Sequence, residues 1–445
     1  MKALLILVLT ASGHAAEPEE YRARVERAEA LALDGRHDEA LRELDAAIKL
    51  RPDDERAWLV RARALAWSGR HGAALAIYDR WPDKTRIERA AVEGFIRNRL
   101  HAERFLSAIV RDEPDNVNAR LALADMHAWT EDGRTARRYY EEVVAISSGN
   151  ATARRGLRRL REARRPRLSV APAFFSNSGG LRRAGAAAGL WLRPLDNLDL
   201  GLLYEREAFR ERGRRALESD AGGIGLRWRH GLRWTAEADG MAETFSDGPS
   251  VASGRAFVSF LADERVATWA GWRRAGPAAG SRFDQTSLET ARRRIQADDM
   301  AAGAQVTPGR FRILGEARYA VYRRSDNERR SATAQAVYRP LSWVEAGYDF
   351  HWFDARRADP LYFSPRGYAA HGVVARLHRD ANGFGAELSD VVFYQPASRR
   401  WGHMPTASLR LRRGAAEAAV DGSYVASEGP RFVSRRLAAR LSCRF

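Results

Sequence analysis

Two periods of apolar residues divide the chain into an N-terminal and a C-terminal region. From residue 17 to residue 165, small and apolar residues recur at the spacing of amphipathic helices, and the pattern repeats. Ala40 and Ala74 are 34 residues apart, and so are Ala90 and Ala124. Small residues let paired helices approach, and each pair buries its apolar face against the next pair. The pattern therefore predicts an α-solenoid of helix–turn–helix repeats.

The clearest single repeat is the stretch AWLVRARALAWSGRHGAALAIYDR, residues 57–80. Its Trp58, Gly69 and Tyr78 stand at positions that resemble those of tetratricopeptide repeats. We expect about four such repeats, of which the third is degenerate, and a solvated closing helix in ATARRGLRRLREARR, residues 151–165. The repeats carry no evident catalytic constellation, and stacked repeats generally form concave binding surfaces.

After Pro166 the apolar period changes from 3.6 residues to two. In the segment RFRILGEARYAVYRR, Phe311 and Ile313 fall on one side, whereas Arg312 and Glu316 fall on the other. This alternation predicts strands with one apolar and one charged side. Sixteen strands are predicted, near residues 167–176, 181–193, 196–209, 217–230, 232–245, 251–262, 266–276, 298–307, 310–323, 329–339, 341–354, 367–378, 383–395, 401–413, 415–427 and 431–445.

The lengths of the connections distinguish a soluble sandwich from a membrane barrel. Short turns such as PLDN, HG and TPGR alternate with connections that are mostly longer, among them 276–298 and 354–367. An even number of strands with short turns at one end is typical of an outer-membrane barrel, whose two rims face different compartments. A sandwich gives no reason for this alternation. The prediction is therefore a transmembrane antiparallel barrel of about 16 strands at residues 166–445.

The last strand shows both sides of the predicted barrel. Its apolar stripe is expected to face lipid, and its arginines at 436, 440 and 444 are expected to face water inside the barrel. Phe445 resembles the terminal aromatic residue that the outer-membrane insertion machinery reads in bacterial barrel proteins. The residues predicted to form this insertion signal are Leu441, Cys443 and Phe445.

Charge and composition exclude some classes of protein. The chain of 445 residues has a formal net charge of +17, which suggests a nucleic-acid partner at first. However, its arginines recur singly or in pairs from end to end rather than on one helix or tail, so no nucleic-acid partner is predicted. Cys443 is the only cysteine, so neither an intramolecular disulfide nor a cysteine metal cluster can form.

The N-terminus predicts export from the cytoplasm. The stretch MKALLILVLTASGHAA has one lysine, an apolar run and small residues before an acidic segment, as in a secretory signal peptide. The predicted organisation is a signal peptide at 1–16, periplasmic helical repeats at 17–165 and an outer-membrane barrel at 166–445.

Together these features resemble the outer-membrane exporters of biofilm exopolysaccharides. The similar groups are the poly-N-acetylglucosamine porins, the outer-membrane subunit of bacterial cellulose secretion and the related YaiO-type barrel family. The stretch YFSPRGY, Tyr362 to Tyr368, resembles a Tyr-Phe-(Ser/Asn)-Pro element of these barrels. The stretch RRRIQADDMAAGAQVTP, from Arg292, resembles a segment of the poly-N-acetylglucosamine porins that leads into a mid-barrel strand. The repeat region is much shorter than in the large exporters.

The resemblance implies an aqueous lumen that passes a neutral or partly cationic glycan through weak, repeated contacts. By alternation, the residues predicted to line the lumen are Glu237, Asp239, Glu316, Arg318, Glu345, Asp349 and Arg412. A solvated wall of mixed charge with no ligand preference is the alternative. The residues of a predicted glycan-contacting loop are Tyr362, Phe363, Ser364, Pro365 and Tyr368. This loop could fold inward as a gate or sugar-stacking platform, or its aromatic residues could anchor the barrel at the membrane interface.

The leading functional hypothesis is a channel that exports a secreted polysaccharide. Its expected partners are outer-membrane lipid, the barrel-assembly machinery and, through the repeats, proteins of a synthesis complex. An assembly or scaffold protein with the barrel as an anchor is one alternative, and a lipid-modifying enzyme of the outer membrane is another. No enzymatic activity, cofactor or metal site is predicted, because no local motif supports one.

Overall fold

The computed structural model describes residues 19–96, 99–263, 265–275, 287–341, 343–381, 383–427 and 432–445. The predicted signal peptide, residues 1–16, lies outside these ranges. The chain divides into two units. One is helical and comprises Met1–Thr130 with Thr135–Arg159, and the other contains the strands and comprises Glu131–Arg134 with Leu160–Phe445.

The N-terminal helices follow one another as four pairs and a closing helix. Their bounds are α1 (19–33), α2 (His37–Leu50), α3 (Glu55–Trp67), α4 (His71–Tyr78), α5 (Arg86–Ile96), α6 (Arg99–Asp112), α7 (Val117–Trp129), α8 (Gly133–Ile146) and α9 (Ala151–Ala163). The predicted helical region of about four repeats is confirmed.

Small residues at the repeat spacing are buried between these helices. Ala40 and Ala74 have no exposed surface, and neither does Ala124. The turns repeat as well, since Gly35 and Gly69 both adopt a φ near +80°, a conformation that glycine enters without a steric penalty. The 34-residue period therefore fixes both the helix contacts and the turns between helices.

The second unit is a single closed sheet of antiparallel strands. The strands are β1 (Arg167–Asn177), β2 (Arg182–Leu195), β3 (Leu198–Arg210), β4 (Leu217–His230), β5 (Trp234–Phe245), β6 (Gly248–Asp263), β7 (Val266–Ala275), β8 (Gln296–Val306), β9 (Phe311–Arg323), β10 (Asn327–Leu341), β11 (Val344–Ala355), β12 (Tyr368–Ala381), β13 (Phe384–Gln395), β14 (Arg400–His403), β15 (Thr406–Arg413), β16 (Ala416–Ser427) and β17 (Phe432–Arg444). A short helix, α10 (Leu288–Arg292), precedes β8.

Apart from β14 and β15, each strand pairs with its sequence neighbours, and β1 also pairs with β17. Arg167 lies opposite Arg444 in this pairing, and the Phe445 backbone N–H donates to the Pro166 carbonyl oxygen at 3.1 Å. The sheet therefore closes into a barrel without an unpaired edge, which a strand structure needs in order to cross a membrane. The fold class predicted from the sequence, helical repeats followed by a 16-strand barrel, is confirmed.

One predicted strand, 401–413, is divided in the structure. It consists of β14 and β15, which are separated at Met404 and Pro405, and both parts lie between β13 and β16. Proline has no backbone N–H to contribute to a strand ladder, so it interrupts the strand at this point. β14 and β15 together occupy one place in the barrel, which gives sixteen positions around the wall.

The two rims of the barrel differ as the sequence predicted. At the rim where β1 begins and β17 ends, strands are joined by tight turns such as Leu195–Leu198 and Arg413–Ala416. At the opposite rim, several connections are much longer, such as 275–296 and 355–368. Tight turns at this rim follow Phe245 and Arg323.

The outer surface of the barrel is apolar at mid-height and aromatic near both rims. Exposed aliphatic residues such as Leu202, Ile224 and Val373 face outward from mid-strand positions. Near the rim of tight turns, the ring of Trp234 packs on Phe260 at 4.3 Å, and near the other rim Tyr394 packs on Trp401 at 5.0 Å. An apolar band between two aromatic belts is typical of a barrel embedded in lipid. Among the described residues, no helix is long and apolar enough to cross a membrane.

The last strand has the two sides that alternation predicted. The exposed residues of its outward side, which include Leu437, Leu441 and Cys443, belong to the apolar surface of the barrel. The arginines at 436, 440 and 444 occupy the alternate positions, which face the interior.

Candidate channel lumen

The strand register determines which side chains point into the barrel. Residues opposite each other on neighbouring strands lie on the same face, and successive residues alternate between faces. Residues such as Ile224 and Leu437 face outward. The residues directly before and after each of them on the same strand therefore face inward. The inward positions include every residue that the sequence predicted to line the lumen: Glu237, Asp239, Glu316, Arg318, Glu345, Asp349 and Arg412.

Glu345 forms the most highly connected ion cluster of the lumen. Its carboxylate accepts hydrogen bonds from Arg312 at 3.0 Å, Arg339 at 3.1 Å and Arg376 at 2.7 Å. Glu345 is only 4% exposed, so its charge is buried but neutralised by these guanidinium groups. Breaking such a cluster would leave a buried charge without compensation, which is strongly destabilising. Glu345 therefore holds the wall formed by β9–β12 together.

A second cluster joins β7, β8 and β9. Asp299 accepts hydrogen bonds from Arg273 at 3.1 Å and from Arg318 at 3.0 Å. Arg318 also donates to Glu316 at 2.6 Å, and Glu316 accepts from the Trp269 indole N–H at 3.0 Å. The two predicted lining residues Glu316 and Arg318 thus bind each other rather than facing the lumen as free charges.

The other predicted carboxylates are also engaged. Asp349 accepts from the Gln335 side chain at 2.9 Å and lies 2.6 Å from a ring nitrogen of His351. Glu237 lies 3.7 Å from Arg255, whose guanidinium also bonds to Asp239. The acidic side chains that the sequence predicted to line the lumen are therefore largely engaged by neighbours on their own wall.

Arg412 differs from these residues, because its side chain is exposed and has no carboxylate within 4 Å in the described part of the chain. The same is true of Arg410 and Arg436. The inner surface thus has ion pairs along β7–β12 and arginines without an ion-pair partner on β15 and β17.

The helix α10 lies inside the mouth of the barrel at the rim of long connections. Leu288 is fully buried among inward-facing side chains from several strands, which include Phe175, Phe209 and Phe245. The Leu288 backbone N–H donates to Glu211 at 3.2 Å, and Arg214 lies 3.1 Å from Glu289. Next to the helix, the Arg294 guanidinium stacks 3.8 Å from the centre of the Phe245 ring. These contacts fix α10 against the inner side of β1–β5.

The connection between β11 and β12 also folds inward. Tyr362 is 2% exposed, and its ring stacks on Tyr322 with centroids 4.2 Å apart. Its hydroxyl lies 2.6 Å from Ser325 and accepts a hydrogen bond from Asn327 at 3.0 Å. Burial raises the pKa of this hydroxyl. We call residues 356–367 the inner loop.

The other predicted loop residues complete this packing. Phe363 lies edge-on to Phe353 at 5.3 Å and to Tyr368 at 5.5 Å. The Ser364 hydroxyl accepts from the Asp359 backbone N–H at 2.6 Å, and the Pro365 carbonyl oxygen accepts from the Ala355 N–H at 2.8 Å. The loop is therefore inside the barrel and not in an aromatic belt. Because Tyr362 and Phe363 contact other rings, neither presents a free aromatic face in this conformation.

α10 and the inner loop meet across the mouth. The Thr290 hydroxyl donates to the Leu361 carbonyl oxygen, and Tyr362 packs with Ile295, which follows the helix. Both segments thus form one constriction built from the β7–β8 and β11–β12 connections. The sequence did not indicate α10, because a five-residue helix has too few turns to show a helical period. The signal that could have indicated it is Ser287, whose side chain and that of Thr290 form a capping box.

The helical unit contains a separate cavity. Trp67 and Asp125 both border it, together with Arg155. Trp67 and Trp129 are 45% and 60% exposed there, unlike most large apolar side chains of the helices. Among the described residues, no group of three or more potential metal ligands occurs in either unit.

Comparison with solved structures identifies the architecture of the strand unit. A structure described as a bacterial polysaccharide outer membrane secretin aligns with a TM-score of 0.50 at 12% identity and covers 63% of this chain and 99% of that chain. The chain is thus similar in fold to an outer-membrane barrel. Two further structures align more loosely: Acinetobacter baumannii OccAB4 (TM-score 0.35, 9% identity) and a BenF-like porin from Pseudomonas fluorescens (TM-score 0.37, 8% identity). Each covers 63% of this chain and 98% of its own.

Sequence comparison adds one match in the N-terminal region. The family model of the bacterial transcriptional activator domain matches residues 7–88. That domain is helical and similar to tetratricopeptide repeats, in agreement with the first helices of this chain. No curated protein sequence matches the chain.

Proposed function

We propose that the protein is an outer-membrane channel through which a secreted polysaccharide leaves the cell. In this proposal the helical repeats lie in the periplasm and hold or guide proteins of the synthesis complex. The rim of tight turns, at which β1 begins and β17 ends, then faces the periplasm. Folding of the barrel into the membrane requires the barrel-assembly machinery.

The observation that carries the proposal is the charged inner surface of a closed barrel with a lipid-compatible exterior. Inward positions bear charged residues on almost every strand, whereas outward positions at mid-height are aliphatic. A barrel of about sixteen strands is wide enough for an aqueous channel. The fold similarity to a polysaccharide outer membrane secretin supports a glycan as the solute.

The channel would act passively. Repeated weak contacts with arginine and hydroxyl groups would let a chain slide, since conduction requires binding that is favourable on entry and weak enough for exit. The constriction of α10 and the inner loop would have to move aside, and export would draw its energy from synthesis on the inner side. No cofactor takes part in this mechanism.

Planar-bilayer conductance tests the proposal directly. The purified full-length protein is expected to conduct ions and to be blocked by an oligosaccharide added to one side, because a glycan in the lumen excludes ions. Deletion of the gene is expected to reduce extracellular polysaccharide, and re-expression should restore it. Conductance that no oligosaccharide blocks, with unchanged extracellular polysaccharide, would contradict the proposal.

The occupied mouth of the barrel favours a second candidate, in which the barrel is an anchor and the repeats are a scaffold. α10 and the inner loop are held by several buried contacts, as in a plug that stays in place. A barrel that remains closed in the bilayer, together with loss of a protein complex after deletion of the repeats, would support this candidate.

A further inference from the structure

We infer that the lumen selects an anionic polysaccharide, one that carries carboxylate groups. This inference rests on the proposed export function and specifies its substrate class. It departs from the neutral or partly cationic glycan that the resemblance implied. Some lumen charges are already compensated within the protein, whereas others face the open interior.

On the walls from β7 to β12, the carboxylates are largely compensated charges. Glu345 is surrounded by three arginines, Asp299 by two, and Glu316 bonds to Arg318 and Trp269. A carboxylate that already accepts short charge-assisted hydrogen bonds has little capacity left for a passing ammonium group. A cationic glycan therefore finds few free acids on the walls from β7 to β12.

Arginines without an ion-pair partner are concentrated on another part of the wall. We call the inward arginines of β15, β17 and β1 the arginine wall; they are Arg410, Arg412, Arg436, Arg440, Arg444 and Arg167. The strand between them, β16, contributes the two inward carboxylates Glu417 and Asp421. Among the described residues, only Arg440 of this set has a carboxylate within 4 Å, that of Glu417 at 3.6 Å.

The geometry spreads these charges over the length of the barrel. Arg436, Arg440 and Arg444 are four residues apart on one strand, a separation of roughly 13 Å at each step. Arg410 lies level with Arg440, since both are paired with Ala419 of the intervening strand. Arg410, Arg412, Arg436 and Arg440 are exposed to the interior, whereas Arg444 and Arg167 are half-buried. An anionic chain could therefore pass from one arginine to the next.

Electrostatics makes this arrangement favour anions over cations. A cleft lined by one sign of charge and enclosed by low-dielectric walls concentrates counter-ions. Arginine rings are the usual means by which pores favour anions, and guanidinium groups match carboxylates with two parallel hydrogen bonds. Water in the lumen keeps each contact weak enough to be exchanged, because exposed ion pairs contribute little individually.

Ion selectivity and block by defined oligomers test the inference. The full-length protein in a planar bilayer under a KCl gradient is expected to show a reversal potential that favours chloride. Oligogalacturonate should block the current at a concentration at least tenfold lower than a maltodextrin or a chitosan oligomer of similar length. The variant R410Q/R412Q/R436Q should lose most of the selectivity for chloride and most of the stronger block by oligogalacturonate.

Arg435 provides a matched control, because it neighbours Arg436 but faces outward near Tyr424. R435Q should keep the selectivity and the block of the wild type. Replacement of the same three arginines by lysine should retain selectivity for chloride, since the charge remains. Unfolding in detergent is measured for all variants, so that loss of selectivity in a folded barrel is distinguished from misfolding.

The outcomes separate this inference from the proposed function. A cation-selective wild type, or stronger block by maltodextrin or chitosan than by oligogalacturonate, would overturn the anionic substrate and leave glycan export standing. A channel that no oligomer blocks would overturn both. If the wild type is closed, the same measurements are made in the L288A/Y362A background, in which the constriction is weakened. Absence of current there as well would also overturn both.

Discussion

Gly156 has no side chain, and the space that a side chain would fill is occupied by one neighbouring ring. It lies in α9 against the ring of Tyr140, and an added Cβ would come within 2.3 Å of the ring carbon Cζ. Tyr140 is 2% exposed and its hydroxyl bonds to Asp125, so the ring has little freedom to move. The close approach of α8 and α9 therefore depends on this glycine.

The substitution Gly156→Ala is expected to destabilise the helical unit by about 1–3 kcal/mol, because the ring or the helix must shift. The measurement is the thermal midpoint of the helical signal in circular dichroism. Gly72→Ala is the control, since α4 has open space at Gly72 and alanine favours a helix more than glycine does. Equal midpoints for G156A and the wild type would contradict the packing described.

Asp125 gives the helical unit a dependence on pH. Burial raises the pKa of its carboxyl group, while the hydrogen bond from Tyr140 opposes this shift. The folded state thus binds the proton more tightly than the unfolded state, whose carboxyl titrates near pH 4. The stability that Asp125 contributes is complete below that pH and is lost as the pH rises through the raised value in the folded state.

The variant Asp125→Asn should therefore gain thermal stability relative to the wild type as the pH increases from about 4 to about 8. The asparagine keeps an oxygen that accepts from Tyr140 but carries no charge. Glu39→Gln serves as the comparison, because the hydrogen bond from Arg36 lowers the pKa of Glu39 instead of raising it. The thermal stability of this variant should still fall as the pH rises, as it does in the wild type. A constant difference between D125N and wild type at all pH values would count against a raised pKa.

At the scale of elements, the constriction depends on the inner loop. Tyr362 links β9, β10 and the end of α10 through its stacking on Tyr322 and its hydroxyl contacts. Removal of this side chain leaves the loop without its principal anchor and exposes polar groups of Ser325 and Asn327 to the lumen. The loop should then leave the mouth more often.

Tyr362→Ala is accordingly expected to increase single-channel conductance or the fraction of time in the open state. Tyr348→Ala, which removes an outward-facing tyrosine of β11 that contacts His371, should leave the current unchanged. Recordings of both variants in the same bilayer provide the comparison. If the two variants conduct alike, the inner loop is not the barrier to ions.

The elements could be predicted from the sequence to different extents. Helical repeats and strands follow from local periods of 3.6 and two, and for that reason their positions agree with the structure. The break at Pro405 is local, because proline lacks the N–H that a strand ladder needs. The inward position of α10 depends on contacts with residues distant in sequence. The pairing of Glu345 with Arg312, Arg339 and Arg376 is also non-local, since it requires the register of four strands. Alternation predicted the inward side of each strand but not the partners there.

At the scale of the whole molecule, the two faces of the barrel should tolerate charge very differently. Leu437 and Ala438 are neighbours near the middle of β17, and the first faces outward while the second faces the lumen. An arginine on the lipid face at mid-bilayer costs about 2–4 kcal/mol, whereas one in a wet lumen costs little.

L437R should therefore give little assembled barrel, whereas A438R should assemble as the wild type does. The measurement is the amount of folded protein in membranes, detected by the shift in electrophoretic mobility on heating. Equal assembly of both variants would indicate that the outward face does not contact hydrocarbon. It would remove the basis for a membrane-spanning barrel.

The pairing of β1 with β17 has a consequence for biosynthesis. These strands are separated by nearly the whole strand unit, and hydrogen bonds between Arg167 and Arg444 and their neighbours can form only after every intermediate strand is in place. A nascent or prematurely terminated chain would expose two strand edges that attract other chains. Cells producing such fragments should accumulate aggregates or degradation products rather than narrower pores. The barrel therefore either closes completely or does not form.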